Sequence, residues 1–220
     1  LASGYRVRAL VRHDLDTQDH CNLQQFVGDL LDPDNLFEAC AEIDTVIHLA
    51  GLAHANSIKR DGLIKVNVYG TELLLAAAIN QSVKRFVLLS SSLAATPDEG
   101  AQKITSYGES KRGAEELVLS AHNSGSIDAV ILRPVNVYGP EMHGNIATLV
   151  RLVSGGFVPP FPKLDTRISL IGVRDLSEVI KLSIDSERAS GNTYFVTDGQ
   201  QYLINDIEKE IYRAVGREMP

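Results

Sequence analysis

The sequence predicts an α/β fold built on a parallel sheet, and three observations carry that prediction. Short apolar runs that read as strands alternate with helical patterns as far as Arg133. The runs Thr45–Leu49, Phe86–Leu89 and Ala129–Arg133 are nearly continuous rather than alternating, as strands covered on both faces are. Polar groups gather where a run ends, most plainly as Ser90-Ser91-Ser92 after Phe86–Leu89.

The elements follow in order. Leu1-Ala2-Ser3-Gly4 reads as the tail of a helix with Gly4 as its C-cap. Tyr5 to Val11 is a strand ending at Arg12, and Phe26-Val27-Gly28-Asp29-Leu30 is a short strand and turn. Pro33 to Glu42 is a short helix with Asp32 at its N-cap. Thr45 to Leu49 is buried strand, and Ile58 to Gln81 a long helix with Leu63, Val66, Leu73, Leu74 and Ala77 near helical period. After Pro140 the texture changes. Ile146 to Val153 is helical, and the Pro/Phe-rich stretch 155–162 is a loop. Arg167 to Ile171 is a strand, Arg174 to Asp185 a helix, Asn192 to Val196 a strand and Leu203 to Val215 a helix.

Composition bounds the function. The 220 residues suffice for one domain with a sizeable core, or one domain with a small lobe, and 44% of them are hydrophobic. The net charge of -7 and the lack of a Lys/Arg block argue against a nucleic-acid or anionic-membrane surface. No apolar run reads as a membrane span or a signal peptide. The two cysteines, Cys21 and Cys40, have no metal-ligand spacing and fit a reducing, cytoplasmic setting.

The stretch that carries chemistry is Ser106-Tyr107-Gly108-Glu109-Ser110-Lys111. Ser106 and Glu109 have the spacing of a capping box, which puts Tyr107 in the first turn of a helix and Lys111 one turn later on the same face. A phenol beside an ammonium, at the positive end of a helix dipole, is favoured as phenolate and can move protons.

Three motifs occur in order: the strand ending in Ser90-Ser91-Ser92, the Tyr-Gly-Glu-Ser-Lys helix start, and Leu132-Arg133-Pro134-Val135-Asn136-Val137-Tyr138-Gly139-Pro140. Together they resemble the extended short-chain dehydrogenase/reductase family, with its sugar-nucleotide epimerases and dehydratases. The resemblance covers nearly the whole chain. It implies a Rossmann-like doubly wound sheet in residues 1–140, with late sheet strands and part of a small substrate lobe in 141–220. It implies an NAD- or NADP-dependent oxidoreductase-type enzyme that isomerises or dehydrates a nucleotide sugar through transient hydride transfer. Relatives of the same kind instead reduce a steroid or flavonoid ketone. Tyr107 would be the acid/base, Lys111 would lower its pKa and hold the nicotinamide ribose, and Ser92 would hydrogen-bond the reacting oxygen.

The cofactor positions implied are Arg12, Asp29, Leu30, Leu49, Ala50, Gly51, Asn67, Ser90, Tyr107, Lys111, Pro134 and Val135, with Ser92 and Asn136 toward substrate. Arg12 suits a 2′-phosphate, because Val11 stands where NAD users carry an acid, so NADP is favoured. His48 reads as a satisfied core histidine, and His143, Asn145, Arg167 and Arg174 as surface residues that could meet a diphosphate. Family members often form homodimers through a four-helix interface that includes the Tyr-Lys helix. The face Ala114, Leu117, Val118 and Ala121 fits either that interface or the core.

The first strand of such a sheet and the Gly-rich pyrophosphate turn that follows it are missing from the amino end. The expectation is a shortened chain, cut at the amino end and before the last substrate-lobe elements. A second reading follows from it: an inactive fragment or scaffold that keeps the fold.

Overall fold

The computed structural model describes residues 4–14, 21–53, 59–98, 103–156 and 165–218. The central sheet contains β3 (Thr45–His48), β4 (Arg85–Leu89), β5 (Asp128–Pro134) and β9 (Thr193–Val196), all parallel and in that order. A separate parallel pair joins β1 (Val7–Val11) to β2 (Leu23–Val27), with Val7 opposite Leu23 and Val11 opposite Val27. The side chains of the central strands divide by parity. Phe86, Leu88, Ala129 and Ile131 enter one core with helices α1 (Pro33–Ala39), α3 (Gly70–Asn80) and α4 (Ser106–Asn123). Val87, Val130 and Leu132 enter a second core with helix α6 (Val173–Asp185). Apolar residues on both faces are what the unbroken runs in the sequence predict.

Helix α1 is capped as expected, with the Asp32 carboxylate accepting from the backbone of Asp34 and Asn35. The long helix Arg60–Asn80 is less regular than its pattern. Helix α2 (Arg60–Leu63) passes through a π-helical stretch, Ile64–Tyr69, before α3. Among the described residues this is the one helix long and apolar enough to cross a membrane, although no run in the sequence reads as span-length. Its apolar content is explained by packing: Leu74, Leu75, Ala77 and Ala78 are buried in the first core. Ala114 and Val118 are fully buried there too, so this face of α4 is core and not an interface between subunits.

Beyond the third motif the chain departs further from its reading. Asn136–Tyr138 forms an unexpected strand, β6, and the single strand expected over Arg167–Ile171 is two. β7 (Arg167–Ile168) pairs antiparallel with β10 (Tyr202–Leu203), whereas β8 (Leu170–Gly172) pairs parallel with β6. Alternation cannot report a change of partner within one run. Helices α5 (Asn145–Gly155) and α7 (Ile204–Ala214) pack together around Leu149, Val153 and Tyr212. Most of the predicted 155–162 loop, and residues 1–3 of the predicted amino-terminal helix tail, lie outside the described residues.

The start of α4 is capped by Thr105, whose hydroxyl accepts from the Gly108 backbone at 3.1 Å, and not by Ser106. With the cap one residue earlier, Glu109 is no longer at N3, and its carboxylate pairs with Arg60 at 3.0 Å. Gly108 itself lies against the short 3₁₀ turn Ser92–Ala95 that follows β4. A Cβ on Gly108 would stand 2.6 Å from the Leu93 carbonyl oxygen. Backbone cannot give way as a flexible side chain does. Gly108→Ala is therefore expected to destabilise the fold by about 1–3 kcal/mol, read as a lower urea midpoint at unchanged m-value.

Candidate active site

The carboxyl ends of β3, β4 and β5 converge on the first two turns of α4, and most of the residues implied by the motifs lie there. Ser90 is buried and continues the β4–β5 ladder, its N–H donating to the Leu132 carbonyl at 2.7 Å. Ser91 is the N-cap of the 3₁₀ turn, its hydroxyl accepting from the Leu93 N–H. Ser91 also hydrogen-bonds the Tyr107 hydroxyl. The serine joined to the phenol is thus the second of the run, one residue before Ser92, which begins the turn. A triplet of identical residues offers no signal in sequence to choose among its members.

The turn is held to α4 by Arg112, a residue sequence reasoning passed over. Its guanidinium donates to the Ala94 carbonyl at 2.9 Å, to the Thr96 carbonyl, and to the Asp98 carboxylate at 2.7 Å. With Gly108 against Leu93, these contacts fix the Ser91 hydroxyl relative to Tyr107.

Asn67 sits within the π-helical stretch and is 2% exposed. Its amide clamps the backbone after β3. The oxygen accepts from Leu52 N–H at 2.7 Å, and the nitrogen donates to Leu52 C=O at 3.0 Å. The same nitrogen donates to Ser110 Oγ at 2.9 Å, and Ser110 donates to the Tyr107 carbonyl at 2.8 Å. Bulges of π type recur at functional sites because they reorient one side chain without ending the helix.

Gly51 lies beside this clamp. A Cβ there would meet Asn67 Oδ1 at 3.0 Å and would come within 3.7 Å of Lys111 Nζ. Leu49, Ala50 and Gly51 are exposed, so this is a solvent-facing strand end with bare backbone and a lysine head beside it.

Burial dominates the electrostatics. It pushes the Tyr107 phenol above its ordinary range, and the Ser91 hydrogen bond only partly offsets this. The expected phenolate-favouring effect of the helix start and Lys111 is therefore outweighed by desolvation. Burial also draws Lys111 down to about 8, against the opposing carboxylate of Glu115. His48 is driven to about 3, first by burial and then by Lys111. Its Nε2 lies 2.9 Å from Thr71 Oγ1, and that hydroxyl spends its one proton on the Asn67 carbonyl at 2.6 Å. The imidazole must therefore be the donor, which assigns the Nε2–H tautomer.

The remaining positions divide. Asp29 and Arg12 stand at the carboxyl ends of β2 and β1, where the Gly28 N–H donates to the Val11 carbonyl at 2.9 Å. The Asp29 carboxylate is engaged by the Leu31 N–H at 2.8 Å. Leu30 turns inward and packs on Gly70 of the long helix, so only its backbone faces the strand ends. Pro134 is buried, Val135 packs in the second core, and exposed Asn136 donates to the Ser169 carbonyl at 3.3 Å. Arg167 and Arg174 are exposed, and the side chain of Asn145 is outside the description.

Residues 1–197 match the model of the NAD dependent epimerase/dehydratase family. The chain is 30% identical over 232 residues to UDP-glucose 4-epimerase of Vibrio cholerae, covering 99% of the chain and 70% of that protein. It is 26% identical over 202 residues to dTDP-glucose 4,6-dehydratase of Streptomyces niveus, covering 86% of the chain and 60% of that protein. Among solved structures, MoeE5 in complex with UDP-glucose and NAD superposes with a TM-score of 0.83 at 25% identity, covering 99% of this chain and 77% of that one. The chain thus spans 60% to 70% of the length of these two curated relatives.

The buried neutral His48 has a consequence for stability. Its folded value of about 3 lies below the roughly 6.5 of an unfolded histidine. The unfolded chain therefore takes up a proton that the folded chain refuses, and stability falls as pH drops below about 6.5. At pH 5 the loss is about 2 kcal/mol. Urea unfolding at pH 7 and pH 5 is expected to show this loss, and His48→Gln, which can still donate to Thr71, is expected to remove His48's share of it.

Proposed function

Because this chain belongs to the NAD dependent epimerase/dehydratase family, we propose that it provides the catalytic core of an NAD(P)-dependent enzyme that epimerises or dehydrates a nucleotide sugar. The observation that carries the reading is Lys111, one turn after Tyr107 on α4, with its Nζ 3.7 Å from where a side chain on Gly51 would begin, at the shared carboxyl ends of β3, β4 and β5.

The residues present fit a dinucleotide. Gly51 leaves the end of β3 without a side chain where one would crowd Asn67 and Lys111. Small residues let a ligand approach backbone. Lys111 supplies a cation to hold a ribose, Ala50 and Gly51 supply bare backbone, and Arg12 with the Asp29 turn stands where the adenosine end would reach. Bound there, NAD(P) would supply the acceptor and donor for a hydride of the sugar.

The chain's own residues handle the proton. Tyr107 takes the proton of the sugar hydroxyl as the carbonyl forms and gives it back on reduction. Ser91 orients the phenol, and Lys111 stabilises the charge that develops on its oxygen. Burial keeps the phenol protonated in the free protein, so Tyr107 becomes the base only after releasing that proton to solvent, with the Lys111 charge stabilising the phenolate left behind. Ser92 and Asn136 are assigned to the substrate; a separate open cleft lined by Gly139, Glu141, Met142, His143 and Arg151 offers a diphosphate one guanidinium, beside one carboxylate. A homodimer would use a face of α4 other than Ala114 and Val118.

Two measurements test this reading. Tyr107→Phe keeps the ring and removes only the proton-carrying oxygen. It is expected to lower turnover of a UDP- or dTDP-sugar by about 10²–10⁴-fold while leaving NAD(P) affinity within about twofold of the parent, where the energy difference is well under 1.4 kcal/mol; retained turnover would remove Tyr107 from the mechanism. Arg12→Ser is expected to weaken NADP binding about tenfold, a single charge-assisted contact, and to leave NAD binding unchanged by calorimetry. Equal loss for both cofactors would end the 2′-phosphate assignment.

A further inference from the structure

We propose that Glu115 is a positioning residue of this site, whose buried carboxylate holds Lys111 charged and ties the Tyr-Lys helix to the two strands beneath it. The inference rests on the assignment of Tyr107 and Lys111 as the reacting pair. Glu115 stands one helical turn after Lys111, which itself stands one turn after Tyr107, so the three share a face of α4.

Glu115 is 2% exposed and fully engaged. Arg133 of β5 grips it with two prongs, Nε to Oε1 at 2.9 Å and Nη2 to Oε2 at 2.6 Å. Ser90 of β4 donates to Oε1 at 2.5 Å. Ser90 immediately precedes Ser91, the partner of Tyr107, and Pro134 immediately follows Arg133. One carboxylate therefore fixes α4 against the end of β4 and against β5, two helical turns after Tyr107. Arg133 is braced in turn, with its guanidinium 5.5 Å from the centre of the Phe195 ring.

A buried ion pair is a poor device for stability, because desolvating both charges offsets most of their attraction. Its effect on a third charge is another matter. The groups near Lys111 are Tyr107 and Glu115 on its own helix face, His48 from β3 and Asn67 from the π-helical stretch, with Ser90 and Arg133 one step beyond, bonded to Glu115. His48 is neutral, Asn67 is an amide, and Arg133 is a second cation. Among these described groups Glu115 supplies the negative charge. Burial works to discharge Lys111, and the Glu115 carboxylate works against it.

Charge and mere packing make opposite predictions. Glu115→Gln keeps the shape but leaves two buried cations together, so the Lys111 ammonium is expected to lose its proton about tenfold more readily. Loosened packing would let water in and move Lys111 the other way, toward an ordinary lysine. Arg133→Gln leaves the carboxylate unpaired, and the Lys111 midpoint is expected to rise by a similar factor. The experiment is an NMR titration of the whole chain carrying lysine labelled at Cε and Nζ, with unfolding midpoints measured alongside. A lower Lys111 midpoint in Glu115→Gln and a higher one in Arg133→Gln support the proposal. An unchanged or raised midpoint in Glu115→Gln overturns it. Should Glu115→Gln not fold, Arg133→Gln is compared with Arg133→Lys, which disturbs the packing but keeps the cation: a rise in Arg133→Gln alone supports the proposal, and an equal rise in both, or none in Arg133→Gln, overturns it. Glu115→Asp keeps the charge and is expected to stay closer to the parent midpoint than Glu115→Gln. No turnover is needed for these readings, so their failure is distinct from that of the Tyr107→Phe assay.

Discussion

The site depends on one buried amide. Asn67 makes hydrogen bonds with both the N–H and C=O of Leu52, and with Ser110 of α4. These contacts join the segment after β3, the long helix and the Tyr-Lys helix. Each of these polar atoms, if left unpaired in this setting, would cost on the order of 1–3 kcal/mol, so the three segments are held in one arrangement rather than a range of them. The π-helical stretch makes this possible. The wider helix turns Asn67 toward Leu52, and α3 beyond it still buries Leu74, Leu75, Ala77 and Ala78 in the first core. The carbonyl of the same residue receives the Thr71 hydroxyl, which in turn receives His48. The chain of hydrogen bonds thus runs from the core of β3 to the first turn of α4.

Around this amide the protein draws ionisable groups out of water. Tyr107, Lys111 and His48 all move toward their neutral forms, and in each case burial is the largest cause. The phenol moves up and the ammonium moves down, so Lys111 gives up its proton more readily than Tyr107 does, and titratable groups perturbed this way by burial are a mark of functional sites. The ion pair of Glu115 and Arg133 lies just below, and it places a fixed negative charge where the lysine needs one. Structural and chemical roles share the same atoms here, since the carboxylate that anchors α4 to the sheet is also the counter-charge.

The opposite end of the sheet shows what a purely structural network looks like. Arg85, at the start of β4, donates to the carbonyls of Ser183, Ile184 and Ser186 at the carboxyl end of α6 and pairs with Asp128 at 2.6 Å. α6 has no basic residue in its last turn, and Arg85 fills that place from across the fold. Arg8 does the same for α1, donating to the carbonyls of Glu38, Ala39 and Ala41. Both arginines lie at the amino ends of strands, away from the serines and Tyr107.

Sequence alone determined the strands and helices of the central sheet and the family to which they belong. Residues alternating in and out of two cores leave an unbroken apolar run, and a polar group next to such a run must lie at its end. Tyr107 and Lys111 were legible because helical period is local. What depends on register between distant segments was not. The run Ser90-Ser91-Ser92 contains no mark of which hydroxyl meets Tyr107, since that is set by Arg112 and Gly108 gripping the turn from α4. The cap fell on Thr105 rather than Ser106 because both can serve and only the docked helix selects one. Glu115 carries no mark in sequence, and only the fold brings Arg133 of β5 to it. The split of Arg167–Ile171 between two partners was hidden for the same reason. Tertiary structure decided each of these, because a hydrogen bond or a charge acquires its partner only when the chain is folded, whereas an apolar pattern carries its meaning along the chain itself.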